Sequence, residues 1–380
     1  MLQNILNQLI RAYHARLIYH DHVFTAKQLA TRTITLITAL KHIPSTAAIA
    51  LCMPNSPELL CWQMACFHLG IPIIPINYAE SVEFIEQTII LTNAIYLYTT
   101  PQKNTSLAQS EIAKFCKIEI IFDTHQAIIA LNPLMSVDVQ APSSAAHADQ
   151  TALITQGINH SYQSVYGYIS TLREALDVEE GLTYLVTQSM GDIVGIVTLL
   201  LTLIHNGTVI LLENFEIEEY LRSMQRYLPT HIHLDTRLGY EIIHHPEINK
   251  KSFIRIKSCF INEKNIPENL PIEFKEKTGA PVRISYSKTE TGIITINKEP
   301  YGDLRGTRGK KLHQVEVEIR DQNGKLVGYN DTGEIWVKSP AVCLGFWNNP
   351  ELNQERFSQG CFKTGDLAHL DEQGYYWLND

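Results

Sequence analysis

The sequence predicts an α/β protein: two α/β units with parallel sheets packed together, followed by a β-rich, barrel-like unit. Three observations carry this expectation. Short apolar runs alternate with helix-like segments between residues 47 and 99, the pattern of a parallel sheet flanked by helices. The alternation resumes at Thr151, after a small and polar stretch, 136–150, that reads as a linker. Beyond about residue 300 it gives way to alternation of apolar and polar residues with turn signals, as in antiparallel strands. The expected units are therefore 1–150, 151–299 and 300–380.

Each element has a local reason. Leu2, Ile5, Leu6, Leu9, Ile10, Tyr13 and Leu17 follow helical spacing. Thr25-Ala-Lys-Gln28 has the spacing of a capping box, so a helix starts there. Ala47–Cys52 is a short apolar run suited to a buried strand. Asn55-Ser56-Pro57-Glu58 supplies cap residues, a first-turn proline and an acid, and the helix it opens ends near Gly70. Residues 71–76 form a strand whose prolines favour its ends or a sheet edge. A helix over 81–91 and a strand over 94–99 complete this unit, with no G-x-G-x-x-G to indicate a dinucleotide site. In the second unit, strands are expected at 151–155, 182–187, 208–212, 229–234, 254–260 and 281–286, with helices between them. Val315, Val317 and Ile319 then alternate with glutamates, Asn323-Gly324 signals a hairpin, and Gly333–Lys338 is a further strand.

Composition narrows the function classes. With 45% apolar residues the chain is long and apolar enough for a large core. A formal charge of −9, from 40 acidic and 31 basic residues, argues against a nucleic-acid partner, which needs clustered cations. Seven cysteines, none in a C-x-x-C pair, read as reduced buried thiols of a cytoplasmic protein. The N-terminus has no signal-peptide pattern. The longest apolar run, Ile193–Ile204, is too short to span a bilayer.

Chemistry concentrates near the C-terminal end. Tyr286-Ser287-Lys-Thr289-Glu290-Thr-Gly follows an expected strand, at the carboxyl end of a parallel sheet, where such sheets bind ligands. An aromatic ring, a hydroxyl and a carboxylate at such a turn can stack a base, bond a phosphate and hold Mg²⁺. Further on stand Gly333-Glu-Ile-Trp-Val, Gly345-Phe-Trp-Asn-Asn-Pro-Glu, Thr364-Gly365-Asp366-Leu and Asp371-Glu-Gln-Gly-Tyr. The acid of a T-G-D turn can accept hydrogen bonds from both hydroxyls of a ribose.

In this order the motifs resemble those of the adenylate-forming superfamily: acyl- and aryl-CoA synthetases, luciferases and adenylation domains of nonribosomal peptide synthetases. Gly306-Thr-Arg-Gly309, Pro54–Glu58 and Ile73–Asn77 extend the resemblance over nearly the whole chain. It implies ATP-dependent activation of an acyl, aryl or amino acid as an acyl-adenylate, with release of pyrophosphate. Transfer to a thiol of CoA or a carrier protein would follow. By position, Tyr286 would stack on adenine, Thr289 contact phosphate, Glu290 hold Mg²⁺ and Asp366 bind ribose. Thr155 and Gly157 would belong to the phosphate loop, and Ser287 and Asp192 would face the substrate.

The sequence also departs from the family. Its phosphate loop is rich in glycine and hydroxyls and ends in Pro-Lys-Gly, which suits a phosphate cradle. Here the matching stretch is Thr155-Gln-Gly-Ile-Asn-His-Ser-Tyr-Gln-Ser-Val165, and only Thr155, Gly157 and Val165 fit. Asn159, Ser161, Ser164 and the helix that follows are the groups left to meet a phosphate. Asp192 stands where amino-acid-activating relatives bind the substrate ammonium; the plainer reading is a helix N-cap. Bulky Ser258-Cys-Phe-Ile-Asn262 replaces a glycine-rich lining, which implies a small or blocked acyl pocket. In the family a hinge and a small lobe carrying a catalytic lysine follow the point where Asp380 stands. The chain as given is therefore expected to lack that lobe and full competence.

Two other readings follow from the residues. His231-Ile-His233-Leu-Asp235, with His244-His245, offers metal ligands. And an altered phosphate loop beside an intact Tyr286/Thr289/Glu290/Asp366 set fits a degenerate protein that binds AMP or a partner without turnover.

Overall fold

A computed structural model describes residues 4–107, 110–114, 116–120, 144 and 146–379. Most of the expected linker and Asp380 lie outside the described residues. After a helix over Ile5–Arg11 comes a hairpin, β1 (Arg16–Tyr19) and β2 (His22–Thr25). β3 (Ile49–Cys52), β4 (Ile73–Pro75), β5 (Tyr96–Thr99) and β6 (Lys117–Ile120) alternate with helices and lead to a second hairpin, β7 (Thr151–Thr155) and β8 (Ile158–Ser161). Then follow β9 (Thr183–Val186), β10 (Thr208–Leu211), β11 (His231–His233) and β12 (Ser258–Ile261), again with helices between, and a third hairpin, β13 (Val282–Lys288) and β14 (Gly292–Asn297). The remaining strands are β15 (Lys310–Lys311), β16 (Glu316–Arg320), β17 (Gly333–Lys338), β18 (Gly345–Phe346), β19 (Phe357–Ser358), β20 (Cys361–Leu370) and β21 (Tyr376–Asn379).

Among the described residues these strands form three sheets. One runs β18-β8-β7-β4-β3-β5-β6, parallel from β7 to β6. Another runs β15-β14-β13-β12-β11-β9-β10-β1-β2, parallel from β13 to β1 with antiparallel edges. The third, β16-β17-β20-β19 with β21 on β20, is antiparallel. This is the expected class: two parallel α/β sheets and a β-rich C-terminal part. Sheet membership is not collinear with the chain, however. β1 and β2 belong to the β9–β14 sheet, β7 and β8 to the β3–β6 sheet, and β18 adds to the latter. A division at residues 150 and 299 therefore cuts through both large sheets.

Local rules explain some elements and long-range pairing overrides others. The capping box is formed: Gln28 N donates to Thr25 Oγ1 at 3.3 Å and Thr25 N to Gln28 Oε1 at 2.9 Å. Ser56 caps the Pro57–Leu69 helix, accepting from Leu59 N at 3.1 Å, and Gly70 ends it in the left-handed region. The N-terminal helical spacing is corrected: the helix stops at Arg11, Tyr13 is 80% exposed, and Leu17 is a buried residue of β1. His20 and Asp21, both at positive φ, make the two-residue turn of that hairpin, and pairing with β10 fixes its register. β4 is an interior strand, not an edge; its prolines sit at or just before its ends.

The Pro57–Leu69 and Ile193–Ile204 helices are buried around most of their circumference, as an apolar helix inside a core must be. No helix among the described residues is long and apolar enough to cross a membrane. Glu58, read from sequence as a first-turn acid, is 3% exposed and forms a buried cluster. Arg32 grips it through Nε at 3.0 Å and Nη2 at 2.6 Å, and Trp62 Nε1 donates at 3.0 Å. This cluster joins two neighbouring helices. Removing one partner strands a buried charge. Arg32→Met is expected to lower unfolding free energy by about 3 kcal/mol, measured by urea denaturation; a change within experimental error would show that Glu58 is satisfied without Arg32.

Candidate active site

The Tyr286–Gly292 motif is the β13–β14 hairpin. Tyr286, Ser287 and Lys288 end β13, and Thr289, Glu290 and Thr291 form the turn. Ser287, Thr289 and Glu290 are partly exposed there. The turn is anchored from behind: Cys343 N donates to Glu290 O at 2.7 Å and Ser339 Oγ to Thr291 O at 3.0 Å.

Asp366 reaches the same place from the third sheet. The β17–β20 ladder shifts register between Glu334 and Trp336, so residues 364–366 bulge from β20. Gly365 takes φ +76° within the bulge, and its N–H donates to Glu334 Oε1 at 2.9 Å. Such bulges re-aim side chains. Here Asp366 Oδ2 accepts from the Tyr286 hydroxyl at 2.8 Å and from Lys288 Nζ at 2.8 Å, while Oδ1 accepts from Lys264 Nζ at 3.0 Å. Burial alone would push the Asp366 carboxyl up, but the bonds from Lys288, Tyr286 and Lys264 outweigh it and hold the group below the ordinary aspartate value. Tyr286 is 4% exposed, so its ring is packed in the core; burial, with Asp366 and Glu290 nearby, raises its hydroxyl.

A second cluster lies around Asp192. The side chain occupies the N-cap position of the Ile193–Ile204 helix but makes no capping bond. It accepts instead from Gln156 Nε2 at 3.3 Å, and burial raises its carboxyl. Gly191 is pressed so closely on the main chain that a Cβ there would lie 2.4 Å from Asn77 N. Asp192, Gln156, Gly157, Glu80 and the apolar Phe84 and Leu91 line a cavity of about 290 Å³.

The expected phosphate loop is a hairpin closed by two residues at positive φ, Gln156 and Gly157, with Thr155 paired to Ile158. Thr155 is 2% exposed. The fallback phosphate contacts are also withdrawn. Ser161 and Ser164 are buried, and Ser161 Oγ accepts from Ser164 N at 3.0 Å as the cap of the next helix. β18 pairs along β8, with Leu344 N on Asn159 O at 2.8 Å and Trp347 N on Gly157 O at 2.7 Å. His160 is fully buried, and burial pushes it down to about 3, so it is neutral. These residues do not fit a phosphate cradle. Glu290 is partly exposed at the hairpin tip and is the ligand type Mg²⁺ takes, one or two carboxylates with water and substrate phosphates.

The histidines of this strand are engaged with other side chains, and among the described residues no group of three or more His, Cys, Asp or Glu is placed to hold a metal. His233 Nε2 contacts Asn262 Oδ1 at 2.7 Å, His231 Nδ1 contacts Thr230 Oγ1 at 2.8 Å, and Asp235 caps the next helix at 2.6 Å. Sequence reasoning missed Lys264, Lys288 and Gln156. Lys288 lies inside the Tyr286–Gly292 motif and Gln156 inside the Thr155–Val165 stretch; nothing local marks Lys264.

The profile of the AMP-binding enzyme family matches residues 11–347. The chain belongs to that family. Among its relatives, the 2-succinylbenzoate–CoA ligase of Bacillus subtilis (strain 168) is 25% identical over 371 residues, covering 96% of this chain and 74% of that enzyme. The amide bond synthetase McbA from Marinactinospora thermotolerans superposes with a TM-score of 0.88 at 20% identity, covering 100% of this chain and 79% of that one. The N-terminal domain of FACL13 from Mycobacterium tuberculosis superposes with a TM-score of 0.87 at 20% identity, covering 100% and 99%. Both structures share the fold of this family member.

Because Asp366 is held below its ordinary value, its contribution to stability is fully present above the unfolded aspartate pKa of about 4 and is lost as pH falls through the lower folded value. Asp366→Asn is expected to cost about 1–3 kcal/mol at neutral pH. The gap to wild type should narrow in acid. Denaturation curves across the acid range check this, and a gap independent of pH would show that the carboxylate charge is not what Lys264 and Lys288 stabilise.

Proposed function

We propose that the protein uses ATP to activate a carboxylic acid as an acyl-adenylate and passes the acyl group to a thiol of CoA or a carrier protein. The family match through residue 347, with Thr289 and Glu290 at an open hairpin tip beside Asp366, carries this reading. Thr289 is the phosphate contact, Glu290 the Mg²⁺ ligand, Asp366 the ribose acceptor and Tyr286 the adenine neighbour. When bound, the metal would offset charge developing on the phosphates as the substrate carboxylate attacks. Thr155 and Gly157 contribute only the wall of the hairpin on this reading. Asp192 and Ser287 face the acid substrate, and the CoA-ligase name of the B. subtilis relative favours CoA as acceptor. Ser258–Ile261 is buried and Asn262 is tied to His233, which supports a small acid. Seven free, buried cysteines suit a reducing, cytoplasmic setting.

The hairpin at 155–161 favours a second reading, nucleotide or partner binding without turnover. ATP–pyrophosphate exchange by the full-length protein, over a panel of carboxylic acids that includes 2-succinylbenzoate, separates the two. Exchange with at least one acid is expected, and Glu290→Gln should reduce it by about 100-fold, the scale for losing one transition-state charge contact. AMP binding with no exchange for any acid would establish the second reading instead.

A further inference from the structure

Both oxygens of Asp366 are already engaged, Oδ2 by two donors and Oδ1 by one. Oδ1 holds the Lys264 ammonium at 3.0 Å; Oδ2 holds the Lys288 ammonium and the Tyr286 hydroxyl, each at 2.8 Å. A carboxylate that reads a sugar diol offers its oxygens to two neutral hydroxyls. Those are weaker partners than ammonium groups, whose charge-assisted bonds are roughly twice as strong as neutral ones. A diol that takes both oxygens can share Oδ1 with Lys264, but at Oδ2, which already holds two donors, it competes directly with Lys288. On this ground, and resting on the nucleotide reading above, we infer that Lys264 and Lys288 are specificity-determining residues that compete with ribose for Asp366 and weaken the binding of adenosine nucleotides.

The two lysines are unequal competitors. Lys288 lies on β13, two residues from Tyr286, and its side chain is only 26% exposed. The hairpin fixes its main chain, so it has little room to leave the carboxylate. The Lys264 side chain is 59% exposed and can turn into water at small cost, although its carbonyl is held by the Arg308 guanidinium. Lys264 yields first, and Lys288 sets the penalty. Replacing Lys288 with methionine keeps the length of the side chain and removes the charge. Asp366 would still have Tyr286 and Lys264, so it would not be stranded.

Calorimetric titration of AMP and of 2′,3′-dideoxy-AMP into wild type, Lys288→Met and Lys264→Met tests the inference without relying on turnover. AMP should bind about tenfold more tightly to Lys288→Met, the scale of one charge-assisted bond in a half-exposed setting. The gain should be smaller for Lys264→Met. Preference for AMP over the dideoxy analogue should rise in Lys288→Met, since only the diol reaches Asp366. Thermal unfolding without ligand checks that each variant is folded. If Lys288→Met does not fold, the more exposed Lys264→Met decides: tighter AMP binding supports the competition and unchanged binding overturns it. AMP binding that is unchanged or weaker in both folded variants overturns the competition but leaves the nucleotide reading standing. Binding of AMP by none of the three proteins overturns both.

Discussion

Asn55 holds the two large sheets in register. Its Nδ2 donates to Gln188 O at 3.0 Å and Leu212 O at 3.1 Å, and its Oδ1 accepts from Met190 N at 2.7 Å. Gln63, from the helix that Asn55 precedes, donates to Met190 O at 2.9 Å. A side chain just after β3 thus satisfies main-chain groups after β9 and β10, in the other sheet. Buried main-chain groups need partners, and here Asn55 and Gln63 supply them. The loop 188–192 is therefore fixed from one side by Asn55 and from the other by Asn77, on which Gly191 is pressed. Asp192, at the end of this loop, accepts from Gln156. The cavity they line follows from the sheet-to-sheet clamp, not from any property of Asp192 itself.

The other cluster depends on the bulge at 364–366. A regular β20 would alternate its side chains across the two faces of the third sheet. The bulge instead sends Asp366 towards β13, where two lysines and a tyrosine converge on it. Charge in the candidate site is consequently uneven. The ammonium groups gather at the Asp366 end. The β7–β8 hairpin presents neutral or buried groups, among them His160, which burial keeps uncharged.

Much of this was legible in the sequence. Caps at Thr25 and Ser56, the β3–β5 alternation and the order of motifs from Tyr286 to Tyr375 depend on near neighbours, and local chemistry decides them. What stayed hidden depends on distant residues. Leu17 fits a helical stripe, yet pairing with Val209 makes it a strand residue. β8 follows a turn that has only one glycine, and β18 completes its pairing from nearly 200 residues away, on the counts Ile158 and Phe346. Glu58 and Asp192 both carry the marks of helix N-terminal acids. Arg32 and Trp62 turn the first into a core ion pair, and the Asn55 clamp turns the second towards Gln156. Asp366 was legible as an acid in a glycine turn; the lysine from after β12 that occupies it was not.

The altered phosphate loop is not a frayed one. Most residues that depart from the family pattern are built into the fold; Gln163 is exposed. Ile158 is 6% exposed and pairs with Phe346 and Thr155; Asn159 pairs with Gly345; His160 and Tyr162 are fully buried. Ser161 and Ser164 close the N-terminus of the following helix on themselves. Opening this segment to wrap a phosphate would break the β8–β18 pairing and expose that buried wall, and a flexible glycine loop carries no such cost. β18 in turn belongs to the segment whose Cys343 N–H holds Glu290 O, so the hairpin and the candidate metal ligand share one support. On the proposed function, the terminal phosphates of a nucleotide are met from the Thr289–Glu290 side, with β7 and β8 as a packed wall.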